Sequence, residues 1–155
     1  MTYARFGAMI VTSTVVMFAL MYLNTYQLDH VDFSQTRLWM AVLMGASMAI
    51  VMLGFMWSMY ANRWRNVLIL VAAAIAFAGS LWLVRSQATV DDVSYMRAMI
   101  PHHSIAIMTS KRARITDPRV RKLADQISAT QVREIAEMKK LIADISGGAR
   151  TTGGR

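Results

Sequence analysis

The chain has 155 residues, a formal net charge of +8 and no cysteine. Disulfides and thiolate metal sites are therefore excluded. Hydrophobic residues make up 55% of the chain and are concentrated before Arg85. This distribution favours a few membrane spans followed by a small extramembrane part over a single soluble domain.

The positive charge lies mainly in the C-terminal part, where 13 of the 17 lysine and arginine residues stand at or after Arg85. A basic segment next to membrane spans suits anionic lipid head groups. No recognised nucleic-acid motif and no interleaving of aromatic and basic residues accompanies the charge. We therefore expect the lipid bilayer as a partner, and no nucleic acid.

Three uncharged runs are long enough to cross a bilayer as helices. They cover residues 6–23, 38–60 and 67–84. The first run has no small-x-small cleavage site before the next polar stretch, so we interpret it as a retained span rather than a signal peptide. The sequence thus predicts a transmembrane region of three helices over residues 1–86.

The loops between these runs differ in charge. Loop 61–66 carries Arg63 and Arg65, whereas loop 24–37 carries two aspartates and one arginine. The positive-inside rule then predicts a cytoplasmic N-terminus in the inner membrane and, after three spans, a periplasmic C-terminal part. Basic residues directly after the third span favour the opposite orientation, so both remain open.

The C-terminal part has the pattern of two helices. The first extends over about residues 90–114, with Asp91 or Asp92 as its N-cap. The second begins with Asp117 as N-cap and Pro118 in the first helical position. Its apolar stripe has alternating spacings of three and four: Val120, Ala124, Ile127, Gln131, Ile135, Met138, Ile142 and Ile145.

Gly147 and Gly148 are predicted to end the second helix, and residues 149–155 to be disordered. The sequence therefore predicts an all-α integral membrane protein with an extramembrane helical hairpin over residues 87–148. A hairpin of this size is too small to bury a full core. It is half of a four-helix bundle, which predicts a homodimer or a subunit of a larger membrane complex.

The stretch 95–108 of the hairpin combines two kinds of soft ligand. Its two histidines and three methionines are His102, His103, Met96, Met99 and Met108. On a helix, Met96, Met99 and His103 share one face, and His102 lies about 100° away. Thioether sulfur together with imidazole nitrogen suits copper, above all Cu(I). We therefore predict a copper site formed by these five residues.

Both helices resemble a known family over about residues 90–145. The first carries the M-x-x-M-I-P-H-H motif from Met96 to His103, and the second continues the match with Asp117, Ala124, Ile127, Gln131, Glu134, Ile135 and Met138. This pattern is similar to that of domain of unknown function 305, a ferritin-like helical family. The resemblance implies an extracytoplasmic domain, and copper binding or copper tolerance. Fuller members carry two such hairpins, so the single hairpin here favours dimerisation.

A structural interpretation of the histidines remains open. Glu134 borders the apolar stripe and is expected to meet His103 across the hairpin, which would satisfy both groups without a metal. The same carboxylate, together with Gln131 and Met138, would equally suit the outer shell of a metal site. The function prediction is therefore a membrane-anchored copper protein for tolerance or delivery, with a non-catalytic accessory or assembly subunit as the alternative.

Motifs for catalysis are missing from the sequence. A di-iron carboxylate site needs Glu-x-x-His on facing helices, but Met99 and Ile100 stand three residues before the two histidines. There is no phosphate-binding glycine loop, nucleophile elbow or zinc-protease helix. We therefore expect no enzymatic activity.

Two further groups of residues have a simple interpretation and a functional one. Loop residues Asp29, His30 and Asp32 are expected to be solvated, with a contribution to an outer metal site as the alternative. The second span carries a row of methionines at every fourth position, which is either a packing stripe or a path for Cu(I): Met40, Met44, Met48, Met52 and Met56.

Overall fold

The structure is a computed structural model that describes residues 2–23 and 25–152, and this part of the chain contains helices and no strand. The all-α class predicted from the sequence is confirmed. The α-helices are α1 (Tyr3–Leu20), α2 (Gln35–Phe55), α3 (Arg63–Ser86), α4 (Asp92–Arg112) and α5 (Pro118–Thr152). Two short 3-10 helices, Leu28–His30 and Trp57–Met59, lie in the connections.

The helices form two compact units. The first contains Met1–Met21 and Gln35–Thr89, and the second contains Tyr22–Ser34 and Val90–Arg155. The connection between α1 and α2 therefore belongs to the same unit as α4 and α5. The expectation that Asp29, His30 and Asp32 are solvated is therefore wrong for His30, which is buried.

In the first unit, α2 packs against both α1 and α3. All three helices are long and apolar enough to cross a membrane, and each overlaps one of the predicted spans. The helix α2 ends at Phe55, earlier than the uncharged run predicted, because the chain turns into the 3-10 helix Trp57–Met59. The number of these three apolar helices and their position in the N-terminal part of the chain indicate an association with membranes.

Small residues form the buried face of α2, which includes Ala41, Gly45 and Ala49. A Cβ atom added at Gly45 would collide with the side chain of Thr14 on α1. Glycine at this position thus allows close approach of α1 and α2, as small residues do between helices in membranes. Gly54 of the same helix, in contrast, has open space where a Cβ atom would stand.

A buried amide joins the helix ends of the first unit. Asn66, at the start of α3, is fully buried and accepts a hydrogen bond from the hydroxyl of Tyr3 at 2.8 Å. Its own Nδ2 donates to the carbonyl of Tyr60 at 3.3 Å. The aromatic ring of Tyr60 also packs against Phe6, with ring centroids 5.8 Å apart. These contacts fix α1 to the connection between α2 and α3.

The methionine row of α2 lies beside the small-residue face rather than on it. Met40 and Met44 are exposed on the surface of the unit, whereas Met52 and Met56 pack against its buried cluster. This change follows from the helical period, because each step of four residues advances about 40° around the axis. The row is therefore not a continuous internal line of sulfur atoms.

Both helices of the hairpin begin where the sequence predicts. Asp91 accepts a hydrogen bond from the backbone N–H of Ser94 at 2.7 Å, and this bond lowers the pKa of the Asp91 carboxyl. Asp117 accepts one from the backbone N–H of Arg119 at 2.8 Å, with Pro118 as the first helical residue. These side chains satisfy N–H groups that have no partner within the helix.

The predicted end of the second helix is wrong. The helix α5 continues through Gly147 and Gly148 to Thr152, so residues 149–152 are helical rather than disordered. Two glycines weaken a helix by about 1 kcal/mol each but leave every backbone N–H in place, and no proline follows to stop the helix. The rest of the predicted disordered tail, residues 153–155, lies outside the described residues.

We expect the substitution Gly45→Val to loosen the contact between α1 and α2. Added side-chain volume in a packed interface lowers the free energy of unfolding by about 1–3 kcal/mol. Gly54→Val is the matched control, because a Cβ atom at Gly54 meets nothing within 4 Å. Thermal unfolding of the full chain in detergent, followed by circular dichroism, measures both. Equal melting temperatures for the two variants would contradict this packing.

Candidate metal site

The core of the hairpin holds α4 and α5 in register. Ile100 and Ile107 of α4 and Ile135 of α5 form its fully buried cluster. His103 lies between the two α4 isoleucines along the helix, turned away from their stripe and toward one edge of the hairpin. Burial of the isoleucines therefore determines where the histidine stands.

A groove of about 520 Å³ runs along this edge of the hairpin. Six of its lining residues carry potential ligand atoms for a metal: Asp92, Met96 and His103 from α4, and Glu134, Glu137 and Met138 from α5. Met96 is buried, His103, Glu134 and Met138 are partly buried, and Asp92 and Glu137 are exposed. The fold thus places an imidazole, two thioethers and three carboxylates along one groove.

The remaining predicted ligands do not line this groove. His102 is exposed, and its ring centroid lies 6.3 Å from that of His103. Met99 and Met108 are partly buried but are not among the residues that line the groove. The sequence correctly put Met96 and His103 together, but spacing on one helix could not show which side α5 would cover.

His103 meets Glu134 across the hairpin, as the sequence predicts. Nδ1 of His103 lies 3.3 Å from Oε2 of Glu134, which is within ion-pair distance. This nitrogen is buried and makes no hydrogen bond to another described residue. The side-chain amide of Gln131 donates to the same Oε2 at 3.2 Å. Gln131 therefore contacts the carboxylate, and its effect on the imidazole is indirect.

Burial determines the charge state of His103. Removal from water lowers the pKa of the imidazole below its usual value, and the nearby Glu134 carboxylate opposes this change without reversing it. His103 is therefore neutral at pH 7, the form that binds a metal ion. With Nδ1 against Glu134, Nε2 is the nitrogen left for a ligand.

Hard ligands alone do not make a site in this groove. Among residues 2–23 and 25–152, no group of three or more histidine, aspartate and glutamate side chains is placed to hold a metal ion. A metal in the groove would depend on the sulfur atoms of Met96 and Met138. Such a donor set suits Cu(I) and is poor for ions that prefer oxygen.

A second face of α4, about 100° around the helix from His103, holds the connection between α1 and α2. The hydroxyl of Ser104, which is fully buried, accepts a hydrogen bond from the backbone N–H of Tyr26 at 2.8 Å. The same oxygen lies 3.0 Å from Nδ1 of His30, a buried histidine. If the hydroxyl proton goes to His30, both polar groups of the connection are satisfied by one serine.

Charged residues strengthen this docking. Lys139 of α5 donates to Asp29 at 2.8 Å, and this bond is the main reason why the pKa of Asp29 is lowered. Lys111 and Arg112 stand over the ring of Tyr26, 5.2 and 5.9 Å from its centroid. Residues 22–34 are therefore a fixed part of the hairpin unit, and we call them the docking segment.

The sequence analysis missed Ser104. A signal was present, because Ser104 stands four residues after Ile100 and three before Ile107, on the buried stripe of α4. A serine at a core position of an amphipathic helix needs a hydrogen-bond partner. Its partners lie 74 and 78 residues away in the chain, so the sequence pattern alone could not name them.

The fold defines an all-α protein in which membrane-length helices precede a helical hairpin. Residues 92–154 match the family model described as Domain of unknown function (DUF305). The chain is also 32% identical over 142 residues to Uncharacterized protein L153 of Acanthamoeba polyphaga mimivirus, a similarity that covers 88% of this chain and 92% of the viral protein. The chain therefore belongs to the DUF305 family.

The two comparisons cover different parts of the chain. The family match begins at the first residue of α4, whereas a similarity over 88% of the chain must extend well into the residues before it. No solved structure matches the chain significantly.

We expect Ser104→Ala to release the docking segment. The change leaves the N–H of Tyr26 and Nδ1 of His30 without their partner, and each unsatisfied buried group costs about 1–3 kcal/mol. Hydrogen exchange of residues 22–34 in the full chain should become faster. Ser110→Ala, at a partly exposed position of the same helix, should leave the exchange unchanged. Equal exchange in both variants would contradict the role of Ser104.

Docking should also weaken in mild acid. Burial lowers the pKa of His30 below 6.5, with Asp29 opposing the change and Lys139 adding to it. The undocked state then binds a proton first, so docking is complete above about pH 6.5 and weakens as the pH falls toward the lowered value. Hydrogen exchange of residues 22–34 at about pH 7.5 and about pH 5, corrected for intrinsic rates, measures this difference. In His30→Asn the difference should disappear, and its persistence there would assign it to another group.

Proposed function

We propose that the protein is a membrane-anchored metal-binding protein whose hairpin groove takes a soft metal ion, with copper as the first candidate. The observation that carries this proposal is the convergence of Met96, His103, Glu134 and Met138 on one groove. Methionine on a helix is ordinarily a packing residue. Two methionines beside a neutral imidazole and a carboxylate are a set of ligands.

Each residue of the groove has a distinct role in this proposal. His103 supplies a nitrogen, and Met96 and Met138 supply sulfur atoms. Glu134 lies against Nδ1 of His103 and would orient its ring, and Gln131 donates a hydrogen bond to Glu134. A carboxylate that fixes a ligating imidazole is common around metal sites and raises their affinity. His102, Met99 and Met108 have no place in this groove.

A parity argument supports two of the three spans. The docking segment lies between α1 and α2, and the hairpin follows α3, yet both belong to one compact unit. Crossing of the bilayer by both α2 and α3 puts the two segments on the same side, whereas crossing by one of these helices alone would separate them. The side itself is proposed from charge, because Arg63 and Arg65 in the loop between α2 and α3 favour the cytoplasm for that loop.

We therefore propose an inner-membrane protein with its N-terminus in the cytoplasm and its hairpin in the periplasm. A site that binds Cu(I) there would serve copper tolerance or copper delivery. The protein would act by binding rather than by catalysis, with the groove residues as ligands and the three helices as an anchor.

A second function is favoured by the contact between His103 and Glu134. Nδ1 of His103 lies 3.3 Å from Oε2 of Glu134, so the carboxylate is a candidate structural partner for the histidine. In that case the protein would be a non-catalytic accessory or assembly subunit of a membrane complex. Substitution of His103 separates the two functions, because loss of a metal ligand lowers the affinity for Cu(I), whereas loss of a structural pair lowers the helicity.

We expect His103→Ala to lose Cu(I) affinity while the chain remains helical. The full chain in detergent is titrated with Cu(I) without oxygen, in competition with a chromophoric chelator, and circular dichroism follows the fold. The full chain is needed because the docking segment belongs to the hairpin unit. Glu134→Gln should weaken binding by about 10–100-fold, as loss of a residue that orients a ligand does.

His102→Ala is the matched control for this titration. It removes the neighbouring imidazole, which is exposed and does not line the groove, and should leave the affinity nearly unchanged. Absence of Cu(I) binding by the unaltered chain, or equal losses in the two histidine variants, would overturn the assignment of the groove. Loss of helicity in His103→Ala would favour the structural alternative.

A further inference from the structure

The helix α5 carries a row of apolar side chains that its own unit leaves partly exposed. Leu123, Ile127, Leu141 and Ile145 are 55%, 39%, 44% and 45% exposed. The docking segment contacts α5 through Lys139, which the helical period puts about 120° or more around the axis from this row. The row and the docking segment are therefore on different sides of the helix.

The row is symmetric about Glu134. Ile127 and Leu141 lie seven residues before and after it, and Leu123 and Ile145 lie eleven residues before and after it. Seven residues are close to two helical turns and eleven are close to three, so all four side chains share the face of Glu134. Read in either direction along the helix, this face presents apolar residues at the same spacing, with leucine and isoleucine exchanging places.

We propose that this face binds a second copy of the chain, with the two α5 helices antiparallel about a two-fold axis at Glu134. An isologous interface must be complementary to itself, and this symmetry of spacing is what makes an antiparallel pair match. Ile127 of one copy then packs against Leu141 of the other, and Leu123 against Ile145. A partner without this symmetry would leave part of the row uncovered.

Polar residues of the same face fit this arrangement. Gln131 and Glu137 lie three residues before and after Glu134, so the axis brings the amide of one copy to the carboxylate of the other. At the centre stand two Glu134 carboxylates, each with a His103 imidazole 3.3 Å away. Two carboxylates at close range repel each other unless a cation or a proton lies between them.

The second copy also completes the groove. Leu141 and Ile145 line the same groove as His103 and Glu134, and that groove is open to solvent in one copy. In the pair, Ile127 and Leu123 of the other copy cover it. A metal ion held in each groove by Met96, His103 and Met138 would thereby be shielded from solvent, a part of the inference that rests on the function proposed above.

Cysteine cross-linking tests the docking, because the natural chain has no cysteine. Ile127→Cys and Leu141→Cys chains are prepared separately, in full length and in detergent, and treated with a short bismaleimide without added metal. A mixture of the two variants should give a covalent dimer, whereas each variant alone should not. Identical positions would be about 21 Å apart along an antiparallel pair, since the offset is fourteen residues.

Each result of the cross-linking has one meaning. Cross-linking of either variant with itself would overturn the antiparallel pairing in favour of a parallel one. Absence of cross-linking in the mixture, with circular dichroism equal to that of the natural chain, would overturn the docking. Light scattering of the natural chain provides a second measurement, with the mass of two copies expected and the mass of one copy contradicting the proposal.

Cu(I) stoichiometry tests the proposed function separately from the docking. We expect one ion for each natural chain, because each copy has its own groove. No bound Cu(I), with cross-linking in the mixture, would refute the proposed function while the docking stands.

Discussion

The hydroxyl group of Ser104 is the contact on which the arrangement of the hairpin unit depends. It is fully buried, and it serves two polar groups of a segment that lies more than seventy residues earlier in the chain. Two helices of this length bury too little apolar surface to form a stable domain by themselves. The docking segment supplies part of the missing cover on one side of the hairpin and leaves the other side, with His103, open.

Much of the fold could be predicted from the sequence because it depends on local features. The lengths of the uncharged apolar runs predicted α1, α2 and α3, and the capping residues Asp91 and Asp117 predicted the starts of α4 and α5. The predicted end of α5 was wrong, because glycines lower helix stability without removing backbone hydrogen bonds. The burial of His30 could not be predicted either, because its partner Ser104 lies on a helix far away in the chain.

The candidate site shows the same division between local and distant information. The spacing of residues within α4 predicted that Met96 and His103 share a face, and the apolar stripe of α5 predicted that Glu134 lies opposite them. Helical periodicity gives the angle between two residues of one helix. It does not give the side from which a neighbouring helix approaches. Met99 and Met108 had the right spacing, yet they do not reach the groove that α5 forms with α4.

His103 and Ser104 are consecutive residues, yet one lines the open groove and the other holds the docking segment. A displacement of this turn of α4 would therefore change both the groove and the contact with the docking segment. Thermodynamic linkage makes the effect reciprocal: by whatever factor occupancy of the groove changes the docking equilibrium, docking changes the affinity of the groove by the same factor.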